Sequence, residues 1–149
     1  MSEADDLLGA VREMTGGALR DVWTFDRSGQ ECLYVRDDVA EHLEGEDLEP
    51  GAFIDNERYG YITRLTYEEL TYTGYEYTVR GFTEFETFRT FLDDGRESPL
   101  GILVSVDRNS GVRFAELFAS LLEVPGYAEP DWEVSEEAVE TPALGYSAD

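Results

Sequence analysis

The sequence predicts an α+β domain, a mostly antiparallel sheet of about five strands with helices packed on it, in the order α-β-β-α-(α)-β-β-β-α. Three observations predict it. Apolar residues recur at helical spacing near both ends of the chain, as Leu7, Leu8, Val11 and Met14, then as Phe114, Leu117, Phe118, Leu121 and Leu122. Between these segments lie runs that alternate with period two or are rich in Tyr, Thr, Phe and Val, the composition of strands. Gly, Pro, Asp and Ser cluster between the runs, which is the chemistry of turns and hairpins.

Each element has its own signal. Ser2 and Asp5 make a capping-box-like start to a helix over residues 3–15, which Gly16-Gly17 stops. Residues 18–26 place Leu19, Trp23 and Phe25 on one face of a strand. Asp26-Arg27-Ser28-Gly29 turns the chain, and Cys32-Leu33-Tyr34-Val35-Arg36 returns as the second strand of a hairpin. Asp37 or Asp38 caps a short helix through Leu43, ended by Gly45, and residues 46–51 form a loop.

The next stretch fits two periods. Tyr59, Tyr61, Thr63 and Leu65 alternate as in a strand, whereas Phe53, Ile54, Arg58, Tyr61, Ile62, Leu65 and Glu69 fit a helix; a helix over about residues 56–70 is favoured. Residues 75–92 supply two strands with a turn near 81–84, and residues 93–99 connect onward. Residues 101–106 are a continuous apolar run, the mark of a central strand buried on both faces. Ser110 is placed to cap the last helix, and Pro125-Gly126 ends it. The expected organisation is one domain over residues 1–124 and a flexible acidic tail over residues 125–149, with Tyr127 and Trp132 available to pin it.

Composition bounds the setting. Against 34 Asp and Glu stand 11 basic residues, all of them arginine, for a net charge of −23. So lopsided a chain repels itself unless salt screens it, and carboxylates keep a surface hydrated in molar salt where lysine stems would add apolar area. The composition points to a salt-in halophile, a haloarchaeon. The charge then reflects the solvent and says little about partners. No two arginines are adjacent, which disfavours a phosphate-tracking stripe and with it nucleic acid. No apolar run approaches the roughly 18–20 residues of a membrane span, and the first residues lack the basic and apolar regions of a secretory signal, so a cytoplasmic location is expected.

The chemistry-bearing residues are few. His42 is the only histidine, too little for a triad or a histidine metal site, and reads as structural or surface. Cys32 is the only cysteine; Glu31 beside it raises its thiol pKa, and it reads as a small buried apolar residue. Acidic pairs such as Asp37-Asp38 and Asp93-Asp94 lack the alternating donors and glycine of a calcium loop. Glycine-rich phosphate motifs are absent, and without lysine a Walker lysine or a Schiff base is excluded. The expectation is therefore no catalytic residues, no metal and no cofactor.

Aromatic residues concentrate in the middle third, with Tyr59, Tyr61, Tyr67, Tyr72, Tyr75 and Tyr77. Tyrosine gives large contact area at low entropy cost. The sequence thus nominates an interaction surface centred on Tyr59, Tyr61, Tyr75 and Tyr77, with Arg58 and Arg80 as rim or stacking contacts. The leading function is a non-enzymatic regulatory or protein-interaction module that binds a protein partner or itself. The alternative is a sensor domain holding a small molecule between sheet and helix, distinguished by an apolar pocket with Tyr or Arg at its mouth.

At topology level this order resembles the roadblock and profilin-like domains, small sheet domains that act as scaffolds and regulators. The segments Cys32-Leu33-Tyr34-Val35-Arg36-Asp37-Asp38 and Leu100-Gly101-Ile102-Leu103-Val104-Ser105-Val106-Asp107-Arg108, the latter followed by an apolar helix, resemble a family of small haloarchaeal proteins of unknown function. That similarity spans roughly residues 5–123 and leaves the tail outside. It implies a lineage and a domain extent, and it brings no catalytic residue with it.

Overall fold

The computed structural model describes residues 3–45, 50–67, 69–70 and 73–130. Ser2, Tyr72, residues 46–49, which were expected to lie in a loop, and residues 131–149, with Trp132, lie outside them. Five strands, β1 (Leu19–Phe25), β2 (Gln30–Val35), β3 (Thr78–Gly81), β4 (Phe85–Leu92) and β5 (Leu100–Asp107), form one sheet in the order β2-β1-β5-β4-β3. Every neighbouring pair is antiparallel. β5, the continuous apolar run, lies in the middle, as a strand buried on both faces must.

Helices cover both faces. On one, α1 (Glu3–Thr15) and α5 (Phe114–Leu122) bring Leu7, Val11, Leu117 and Leu121 onto Val22, Phe88, Ile102, Val104 and Val106, all fully buried. Side chains of this size each contribute about 1.5–3 kcal/mol by burial, so this layer is the main core. Val124 and Tyr127 join it beyond α5, and Ala128 exchanges backbone hydrogen bonds of 2.8 and 3.0 Å with Asp93. The ordered packing therefore continues past Pro125-Gly126.

On the opposite face lie α2 (Asp37–Gly45), α3 (Pro50–Arg58) and α4 (Gly60–Tyr67). Ile54 and Tyr61 pack there against Phe25, Phe91 and Leu103. Two glycines permit this contact. A Cβ at Gly101 would lie 2.3 Å from the Phe25 ring, and one at Gly60 would lie 2.6 Å from the Arg89 guanidinium and 2.8 Å from Phe91.

Four expectations change. The helix expected over residues 56–70 is two helices broken at Tyr59, because Gly60 lets the start of α4 descend onto Arg89 and Phe91. The loop expected to run to residue 51 gives way to helix at Pro50, whose missing N–H costs nothing in a first turn. Ser110 does not cap α5; its Oγ accepts the Val112 N–H at 3.3 Å in the preceding turn, and Arg113 occupies the N-cap position. Leu19 does not share a face with Trp23 and Phe25, because a bulge between Leu19 and Asp21 reverses the alternation. That bulge creates the site described next.

Candidate functional site

Along β1, the strand period after the bulge puts Asp21, Trp23 and Phe25 on the α2–α4 side of the sheet, together with Leu103 and Ser105 of β5 and Phe85, Thr87, Arg89 and Phe91 of β4. α3 and α4 seal the Phe25–Phe91 end. At the other end the helices stand off the sheet and leave a cleft of about 730 Å³. Its floor is Trp23, Leu103, Ser105, Thr87 and Phe85; its roof is Val39, His42 and Leu43 of α2 with Ala52, Phe53 and Ile54 of α3. Arg20, Asp21, Asp38 and Glu84 complete the lining.

The polar groups are individually placed. Ser105 Oγ donates to Asp21 Oδ1 at 2.6 Å. Burial of Asp21 pushes its carboxyl above the usual aspartate range, and hydrogen bonds from the Ser105 and Trp23 side chains only partly oppose it. The Arg20 guanidinium lies 4.6 Å over the Phe85 ring and 3.8 Å from Asp107, and its Nε is buried without a hydrogen-bond partner. Arg36 holds Asp38 at 2.6 Å and Asp107 at 2.8 Å, keeping both carboxyls below the usual range. A raised acid pKa means that the ionised form costs stability above that pKa, a cost that vanishes as pH falls towards the unfolded value of about 3.9. Asp21→Asn is accordingly expected to stabilise the fold at neutral pH, by about 0.5–2 kcal/mol, with the gain fading in acid; thermal melts at several pH values check it.

The nominated tyrosines are not brought onto one face. Tyr59 is 65% exposed beside a second, shallower cavity of about 610 Å³ that Arg27, Asn56 and Ile62 also line. Tyr61 is 2% exposed; its hydroxyl donates to the Pro99 carbonyl at 2.6 Å, and burial raises its pKa. Tyr75 is half-buried, with its hydroxyl 2.7 Å from Thr78 Oγ1 and accepting from Arg89 at 3.1 Å. Tyr77 packs on Phe88 and Phe118 on the α1–α5 side of the sheet. Arg58 donates to the carbonyls of Asp26 and Gly29 and to Gln30, fastening α3 to the β1–β2 turn. Arg80 lies 3.3 Å from the buried Glu57.

Cys32 is exposed on the edge strand β2 rather than buried, and its thiol is raised first by partial desolvation and then by the charge of Asp21, not by Glu31. His42 lines the cleft from an exposed position on α2. Among the described residues no group of three or more His, Cys, Asp or Glu side chains could hold a metal ion, and no helix is long and apolar enough to cross a membrane.

The family model that matches this chain is Domain of unknown function (DUF7522), over residues 5–126. The chain belongs to this family. No curated protein and no solved structure matches it. The matched segment holds the whole sheet and every described helix except the first two residues of α1, and all the residues lining the cleft fall within it. The sequence signals for the cleft were polar residues interrupting apolar strands: Asp21 among Leu19, Val22 and Trp23, and Ser105 between Val104 and Val106.

Proposed function

We propose that the protein is a non-enzymatic sensor domain that binds a small organic molecule in the cleft between the sheet and α2–α3. The cleft itself carries the reading: its volume falls within the roughly 300–1,000 Å³ of small-molecule sites, and a few polar groups stand among apolar and aromatic walls. Arg20 stands in the lining, where a sensor needs a fixed polar contact. One histidine, one unactivated cysteine and no lysine support binding over turnover. The lysine-free, −23 composition supports a halophilic, haloarchaeal cytoplasm as its setting. Helices on both faces of the sheet support the roadblock-like or profilin-like reading.

A fragment screen by amide chemical-shift mapping tests the proposal. Hits should perturb Trp23, Phe85, Leu103 and Ser105, and Ala52→Trp, which fills the cleft from the roof, should abolish them. Hits that map elsewhere, or that survive Ala52→Trp in the folded protein, would sink it.

One further observation supports a protein partner or second copy that reads the occupancy of the cleft. Phe53 and Phe82 are both more than one-third exposed, with ring centroids 6.1 Å apart, and Phe82 stacks on Phe85 at 4.8 Å. Phe53 and Phe85 also line the cleft, so a ligand and a docked partner would share aromatic side chains.

A further inference from the structure

The ligand's chemistry follows from which charges in the cleft are already neutralised. Asp38 is held by Arg36, and the Arg20 guanidinium faces Asp107 and the Phe85 ring. Asp21 and Glu84 have no salt bridge within 4 Å among the described residues; Asp21 stands on the floor, bonded by the Ser105 hydroxyl and backbone and by the Trp23 side chain, with the charge of Arg20 nearby. A carboxylate accepts about four hydrogen bonds, so Asp21, which lines the cavity, can take one more donor. Trp23 and Phe85 below and Phe53 above give the space aromatic walls, which favour a flat ring. Resting on the sensor reading, we propose that the cleft selects a flat aromatic molecule bearing an ammonium group, with its ring among Trp23, Phe53 and Phe85 and its cation on Asp21.

An anion is disfavoured in the same place. Arg20 is the one guanidinium in the lining; its Nε has no hydrogen-bond partner, but its charge is shared between Asp107 and Asp21, and Asp21 and Glu84 would repel an anion. A neutral ring would keep the stacking and leave the desolvated carboxylate without a counter-charge. Burial of Asp21 supports the same ordering: a group that pays for its charge by losing water gains most from a cation that supplies the missing contact. Because the contact is sheltered from solvent, molar salt weakens it less than it weakens surface pairs.

Three probes with one ring and three charges separate the possibilities: tryptamine, indole-3-ethanol and indole-3-acetate, each titrated into the full chain in molar KCl and followed by amide shifts at Trp23, Phe85 and Ser105. Tryptamine is expected to bind about ten- to a hundredfold more tightly than the acetate, the range of a charge-assisted hydrogen bond, with the alcohol between them. In Asp21→Asn the three affinities should converge to within about threefold, while indole-3-ethanol binds as before. Binding at the cleft with no preference for tryptamine, or a preference that survives Asp21→Asn, overturns the charge assignment and leaves the sensor reading standing. Failure of all three to bind a folded protein overturns both.

Discussion

In dilute buffer the protein is expected to be largely unfolded, gaining its fold steeply as KCl rises past roughly 0.2 M. A chain of 149 residues folds to a sphere of about 19 Å radius, and a charge of −23 on it stores on the order of 60 kcal/mol of unscreened repulsion in water. At 0.1 M salt, where the Debye length is about 10 Å, that falls to roughly 20 kcal/mol; at 1 M, with about 3 Å, to roughly 8. The difference of about 12 kcal/mol rivals the whole stability of an ordinary domain, although repulsion within the unfolded chain cancels part of it. Ion pairs such as Arg36 with Asp107 act in the opposite sense, since salt weakens them. Far-UV circular dichroism across a KCl titration separates the two. A signal flat from dilute buffer to molar salt would mean that arginine pairs, not screening, hold the charge.

The fold was legible where one period dominates. Leu7, Val11 and Met14 recur at helical spacing, and the run from Gly101 to Val106, interrupted only by Ser105, has the length and composition of a strand covered on both sides; both are so placed. Residues 56–67 were not legible for a physical reason. Tyr61 and Leu65 satisfy both periods, and the break at Tyr59 depends on Gly60 meeting Arg89 and Phe91, residues about 30 positions away. The single-residue bulge after Leu19 is equally invisible to periodicity, yet it decides which face every later residue of β1 presents.

The same bulge explains why the site was harder to read than the fold. Tyrosine enrichment drew attention to residues that the structure divides between a buried core, a half-buried cluster and the opposite face: Tyr61, Tyr75 and Tyr77. The cleft instead joins Asp21 to Ser105, 84 residues apart in sequence, and roofs them with two helices. Polar residues inside apolar strands were the available clue. Only the register of β1 on β5 shows that Asp21 and Ser105 are cross-strand partners on one face.

One buried acid ties the roof of that cleft to the sheet. Glu57 of α3 is 1% exposed, with Arg89 Nη1 of β4 at 3.0 Å from one oxygen and Arg80 Nε of β3 at 3.3 Å from the other, the latter without hydrogen-bond geometry. Arg89 is buried too, and its Nη2 donates to Thr78 Oγ1 at 2.9 Å and to the Tyr75 hydroxyl at 3.1 Å. Glu57→Leu is therefore expected to cost about 3–5 kcal/mol, because it strands the Arg89 charge in a place water does not reach. The double variant Glu57→Leu, Arg89→Met removes both charges and should recover most of that loss, since buried pairs are often replaced by apolar groups at little cost. Denaturant midpoints of the two variants in molar KCl give the comparison. A single variant within about 0.5 kcal/mol of the parent would show that the pair does not hold α3, and a double variant no better than the single would assign the effect to shape rather than charge. Phe53 and Ile54 ride on the same helix, one turn before Glu57. Loosening this contact should thus weaken binding in the cleft even where the global fold survives, and the double variant should restore both together.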